Sequence, residues 1–169
     1  PDTMVLDPTY KYDLQVHTIP YVWKRDIEIL AARHNIIALD APQGDLELKV
    51  EGITSYPRLE AIIRKSGTSN TLHVQDFNSR QKYIVGTYDI EILSTPRIYL
   101  NNIKVDWSAT KTINIPQPGK LNVVAMNDYY ASIYQEKNGK MEWVIDINPN
   151  IRKQVIIIQP GKYRVVYRP

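Results

Sequence analysis

The sequence predicts an all-β protein of two tandem small antiparallel domains, each a β-sandwich or barrel, and three observations predict it. Apolar and polar residues alternate with period two in many short runs, the mark of half-buried strands. Turn residues recur about every 8 to 12 positions, with almost no helical periodicity. The third observation is an internal repeat. The stretch Gly86-Thr87-Tyr88-Asp89-Ile90-Glu91-Ile92-Leu93-Ser94-Thr95-Pro96 has one counterpart in Tyr12-Asp13-Leu14-Gln15-Val16-His17-Thr18-Ile19-Pro20 and another in Gly161 to Pro169. Tyr12 and Tyr88 are 76 residues apart, and Tyr88 and Tyr163 are 75 apart.

Taken in order, residues 1–11 read as a linker from an upstream segment. Residues 12–86 form the first sandwich and residues 87–169 the second. Tyr12, Leu14 and Val16 alternate with Asp13, Gln15 and His17, and Pro20 ends that strand. Ile27 and Ile29 mark a second strand, with a helical turn over Ile27 to Arg33 as the alternative. Asn35-Ile36-Ile37-Ala38-Leu39 reads as a short buried strand, closed by the turn Asp40-Ala41-Pro42-Gln43-Gly44. Leu46, Leu48 and Val50 then alternate with Asp45, Glu47, Lys49 and Glu51, one side in the core and one in water. Leu59 to Arg64, Leu72 to Val74 and Lys82 to Val85 complete the unit.

The second unit repeats this punctuation. Pro96 matches Pro20, Ile103 and Val105 match Ile27 and Ile29, and Ile113 and Ile115 match Ile37 and Leu39. Pro118 matches Pro42, Gly119 matches Gly44 one residue out of step, and Leu121 and Val123 match Leu46 and Leu48. Asn138-Gly139 predicts a two-residue type I′ hairpin. That turn sets Glu136 opposite Met141, Tyr134 opposite Trp143, Ser132 opposite Ile145 and Tyr130 opposite Ile147, and their shared face reads as core. No Gly/Ser linker separates the units, so the strand after Gly86 is expected to close the first and open the second.

Composition narrows the function. The chain has 169 residues, 21 basic and 18 acidic, for a net charge of +3. The charges are mixed rather than clustered, which argues against a nucleic-acid footprint. There is no cysteine, hence no disulfide, thiolate metal site or thiol catalysis. No apolar run reaches the roughly 18 residues of a membrane span.

Chemical motifs are weak. Asp106-Trp107-Ser108-Ala109-Thr110 has the look of an Asp-x-Ser-x-Thr cation loop, yet it falls between strands, and Trp107 reads as a packed aromatic beside a polar turn. His17, His34 and His73 lack ligand spacing, and Asp40, Asp45, Glu47 and Glu51 read as a solvated face. No nucleophile elbow, phosphate loop or metalloprotease helix occurs, and Ser108 and Ser132 have no histidine near them in sequence. We therefore expect no catalytic residues, no metal and no cofactor. The oddity is 12 Tyr and 3 Trp against one Phe. Tyr and Trp carry an apolar body with a polar tip, suited to sugar stacking or a protein interface. Half fall at core positions; Tyr21 with Trp23 and Tyr129 with Tyr130 are the candidate binding residues, although Tyr130 also fits the core.

At Leu14 to Pro20, Ile37 to Gly44, Gly86 to Glu91, Ile115 to Gly119 and Gln159 to Pro169 the chain resembles the C-terminal region of Bacteroidetes von Willebrand factor A domain proteins, often labelled calcium-activated chloride channel homologues. The Pro-Gly-x-Tyr ending is also similar to carboxypeptidase-regulatory-like and PEGA modules, small prealbumin-like sandwiches of surface and envelope proteins. The resemblance implies an extracytoplasmic accessory region, in the periplasm or at the cell surface, following a metal-dependent adhesion domain. Its expected role is a non-catalytic spacer or interaction module with a protein partner. The alternative is a carbohydrate-binding module that holds polysaccharide on exposed Tyr and Trp.

Overall fold

The computed structural model describes residues 3–124 and 130–168. These form fourteen strands and no helix. In chain order they are β1 (Lys11–Val16), β2 (Val22–Glu28), β3 (Gln43–Val50), β4 (Glu60–Lys65), β5 (Thr71–Asp76), β6 (Ser79–Ile84) and β7 (Gly86–Ile92). There follow β8 (Ile98–Val105), β9 (Thr110–Ile115), β10 (Gly119–Val124), β11 (Tyr130–Lys137), β12 (Lys140–Ile147), β13 (Lys153–Ile158) and β14 (Tyr163–Arg168).

The first sandwich pairs a sheet of order β6-β3-β9 with one of order β5-β4-β7-β8. Alternation along β3 drives this: Leu46 and Leu48 are fully buried while Lys49 points to water. They meet Ala61 and Ile63 of β4, Ile90 and Ile92 of β7, Val105 of β8 and Ile113 and Ile115 of β9 in one core. A polar thread crosses it. The Tyr83 hydroxyl donates to Gln75 Oε1 at 3.0 Å, and Gln75 Nε2 donates to the Leu46 carbonyl at 3.0 Å, so the buried amide keeps its partners. The Tyr88 hydroxyl donates to the Ile84 carbonyl four residues back, and burial pushes its pKa up to about 12.

The second sandwich is thinner. Its sheets are β13-β10 and β12-β11-β14, and its buried core is Ala131, Ile133, Ile147 and Ile158. The remaining hairpin, β1-β2, forms a two-stranded sheet of its own.

Four details differ from the sequence-based expectation. The strand β7 lies between β4 and β8 in the first sandwich and does not pass into the second; the packing unit therefore runs on past residue 86 to β9. The pair β3 and β9 is parallel, since β9 crosses from the opposite sheet rather than from a hairpin. Asn35 to Leu39 is in no strand, although Ile36 is 84 % exposed while Ile37 and Leu39 are half-buried, because no sheet edge lies beside it. Finally, the turn at Asn138 and Gly139 has positive φ at both residues, and Tyr134 does face Trp143, but a bulge at Val144 then shifts the register by one. Ser132 accordingly faces Asp146, and Ala131 faces Ile147. The core side is Ala131 and Ile133, and Tyr130 and Trp143, expected inside, are exposed.

Candidate functional site

The internal repeat holds at the level of backbone geometry. In β1-β2, Tyr12 pairs with Ile27, Leu14 with Lys24, Gln15 with Trp23 and Val16 with Val22. Adding 76 to each number gives the β7-β8 pairs Tyr88 with Ile103, Ile90 with Leu100, Glu91 with Tyr99 and Ile92 with Ile98. Both hairpins carry a bulge at the same place. There Asp26 (φ 54) and Asn102 (φ 58) have positive φ. Their amides donate to Asp13 Oδ1 at 3.0 Å and Asp89 Oδ1 at 2.9 Å. Backbone donors from Asn102 and Gly67 and the Ser66 hydroxyl hold the Asp89 carboxyl below its usual range. Further along, Ala32 (φ 53) matches Ser108 (φ 52). Thr18 and Ser94 each donate to a proline carbonyl two residues on at 2.7 Å.

The repeat exposes a difference between the two sandwiches. In the first, the connection from β8 to β9 closes over Gly44: the Asp45 amide donates to the Ala109 carbonyl at 2.8 Å and the Ser108 amide to the Gln43 carbonyl at 2.9 Å. A Cβ on Gly44 would stand 2.0 Å from the Asp106 carbonyl oxygen. In the second, the nearest atom that a Cβ on the counterpart Gly119 would meet among the described residues is the Ile158 carbonyl oxygen, at 3.8 Å. An open cavity of about 390 Å³ lies there, lined by Gln117, Gly119, Ile158, Gln159, Gly161 and Tyr163. Gln159 is only 4 % exposed; its Nε2 donates to the Tyr56 hydroxyl at 3.2 Å, while its Oε1 has no partner among the described residues. No described strand pairs with the outer edge of β10 or of β14.

The aromatic candidates fall into two places. Tyr21 and Trp23 are exposed on the β1-β2 hairpin, Tyr21 edge-on to His17 at 5.4 Å and Trp23 under the Arg25 guanidinium at 4.7 Å. Tyr130 is exposed at the start of β11, and Tyr129 lies outside the described residues. Trp143 and Tyr167, not singled out by sequence, are exposed on the same sheet as Tyr130. The Trp143 ring nitrogen donates to Asp146 Oδ1 at 2.9 Å, and the Ser132 hydroxyl donates to the same oxygen at 2.6 Å. Those two bonds hold the Asp146 carboxyl below its usual range.

The other candidates do not converge. His17, His34 and His73 sit in separate places, His73 edge-on to the buried Tyr83. Among the described residues no group of three His, Asp or Glu side chains could hold a metal ion. Asp106 pairs with Lys104 at 2.8 Å, and Trp107 is 74 % exposed rather than packed, because Val105 takes the inward position at that turn. Glu47 accepts from Lys49 and the Thr112 hydroxyl, both at 3.0 Å, an ion-paired surface carboxylate. No helix of the described residues is long and apolar enough to cross a membrane. Comparison with protein-family models, curated proteins and solved structures gives no match.

Proposed function

We propose that the chain is a non-catalytic spacer and interaction module, an extracytoplasmic part of a larger cell-envelope protein that carries a von Willebrand factor A domain upstream. One observation supports this above the others: the strands that finish the first sandwich, β8 and β9, belong by sequence to the second repeat. Strands of one repeat thus complete the sandwich before it, and only residues 116–118 separate β9 of the first sandwich from β10 of the second, a short joint that suits a stiff spacer. The exposed aromatics favour a surface for macromolecules, but Arg25 occupies one side of the Trp23 ring and leaves it less free for a sugar.

Affinity electrophoresis against a panel of soluble and insoluble polysaccharides, with Trp23→Ala and Trp143→Ala beside the parent chain, tests the reading. The spacer predicts no retardation on any of them. Retardation that either substitution abolishes would overturn it in favour of carbohydrate binding through the exposed Tyr and Trp.

A further inference from the structure

We propose that the first sandwich bears mechanical force, tension along the chain being held by shear of the parallel pair β3 and β9. This rests on the spacer reading and deepens it by naming what the spacer withstands.

Tension in a polypeptide runs through its covalent chain, so it enters the first sandwich at its first strand, β3, and leaves by its last, β9. Those two strands lie side by side. Their pairing is parallel, from Asp45 beside Thr110 to Val50 beside Ile115. The chain therefore comes in at Gln43, at one end of the ladder, and goes out after Ile115, at the other. Pulling draws β3 and β9 past each other along their length, and the bonds between them are loaded together. A hairpin behaves otherwise. In β1-β2 the chain enters at Lys11 and leaves at Glu28, which face each other, so tension parts that pair first and the rest in turn.

The ladder is secured at both ends. At the entrance the Ser108 amide donates to the Gln43 carbonyl at 2.9 Å and the Asp45 amide to the Ala109 carbonyl at 2.8 Å; at the exit the Glu51 amide donates to the Ile115 carbonyl at 2.9 Å. Between them the Thr112 hydroxyl donates to Glu47 Oε2 at 3.0 Å.

The strand β3 is central in its sheet, with β6 on its other side, and its Leu46 carbonyl accepts Gln75 Nε2 of β5 across the core at 3.0 Å. It is the fixed member of the pair. The moving member, β9, cannot creep: a slip of one residue would turn the buried Ile113 and Ile115 to the outer face and bring Thr112 and Asn114 inward. The ladder therefore holds until it yields as a whole. Past Ile115 there is little slack, since residues 116–118 lead straight to β10 and the Gln117 amide nitrogen Nε2 donates to the Ile53 carbonyl at 2.8 Å.

Pulling single molecules of the full chain between two DNA handles tests this. The parent has no cysteine, so pairs of exposed cysteine substitutions place the handles. Asp40→Cys with Pro116→Cys loads β3 and β9 in shear, and Asp40→Cys with Trp107→Cys pulls the same two strands apart from one end; all three positions are exposed. The unfolding event is recognised by its lengthening, about 3.5 Å for each residue between the handles. At equal loading rate the shear pair is expected to unfold in one step at about twice the force of the other pair or more. A smaller difference, or stepwise yielding of the shear pair, would overturn the inference. Such a result would leave the spacer reading standing, since that is decided by the polysaccharide panel, and polysaccharide binding would overturn the spacer without changing these forces.

Discussion

The two sandwiches start from the same repeat and end with different cores. Around β3 to β9 fourteen residues form a buried cluster; around β10 to β14 the corresponding cluster among the described residues has four. Little of this comes from composition. Leu121 and Val123 are as apolar as the Leu46 and Leu48 they match, yet only the latter pair is fully buried. What differs is the cover: β8 and β9 add Val105, Ile113 and Ile115 to the first core and shield Ile90 and Ile92 from water. The cover of the first sandwich thus comes from the repeat that follows it.

The widest gap is expected at the paired tyrosines. The Tyr88 and Tyr163 hydroxyls both donate to the carbonyl four residues back, at 2.5 and 2.7 Å. Tyr88→Ala is expected to cost about 3 to 5 kcal/mol in urea denaturation and Tyr163→Ala, in its half-covered site, about 1 to 2 kcal/mol. Equal losses would break the comparison. The paired glycines come next. Gly44→Ala must push the Asp106 backbone aside and is expected to cost about 3 kcal/mol, whereas Gly119→Ala stays within about 0.5 kcal/mol.

Acid should separate the sandwiches further. Burial alone would raise the pKa of Glu91, but hydrogen bonds from Arg64 (2.8 Å) and Arg97 outweigh it and hold the carboxyl below its ordinary 4.5. A lowered folded-state pKa contributes stability that is complete above the unfolded value and is lost as pH falls through the folded one. The first sandwich should therefore lose stability as pH drops below about 4.5, and Glu91→Gln should flatten that limb. Val166 occupies the matching place in the second sandwich and contributes nothing to its acid limb. Thermal melts of the parent chain and of Glu91→Gln across this range check the sign. The smallest effect is a control. Gly67 (φ 77), whose amide donates to Asp89 Oδ2 at 3.1 Å, and Gly139 (φ 73) sit in turns where a Cβ would meet no other atom, so Gly67→Ala and Gly139→Ala should each cost about 1 kcal/mol, with no difference between the halves.

Strands were legible where period-two alternation met clear turn residues, as in Leu46 to Val50 and around Asn138-Gly139. The repeat spacing was legible too, and it proved true down to the bulges at Asp13 and Asp89. What the linear pattern could not carry was partnership. Asn35 to Leu39 has the composition of a strand, but a strand exists only beside an edge, and the edge its repeat copy uses belongs to the first sandwich. The bulge at Val144 was hidden for a related reason: Trp143, Val144 and Ile145 are all apolar, so alternation does not say which is the extra residue. Among the aromatics, Tyr21 and Trp23 were picked because no core pattern claimed them, and they are exposed; Trp143 was set inward because the bulge at Val144, which turns Ile145 and Ile147 to the other face from it, leaves no mark in the pattern. The cavity at Gly119 left one faint sign, the match of Pro118-Gly119 to Pro42 and Gly44.

The offset between sequence repeat and packing unit also sets an order of events during synthesis. Chains emerge amino end first and domains fold as they are completed. The first sandwich cannot close when its own repeat has left the ribosome, because β8 and β9 are still to come. It has to wait, with the inner faces of β4 and β7 uncovered, until the chain has been made through Ile115. A ribosome pausing anywhere between Gly86 and Ile115 would hold an unfinished barrel of strands in the open, and chaperone demand during production should peak over that window.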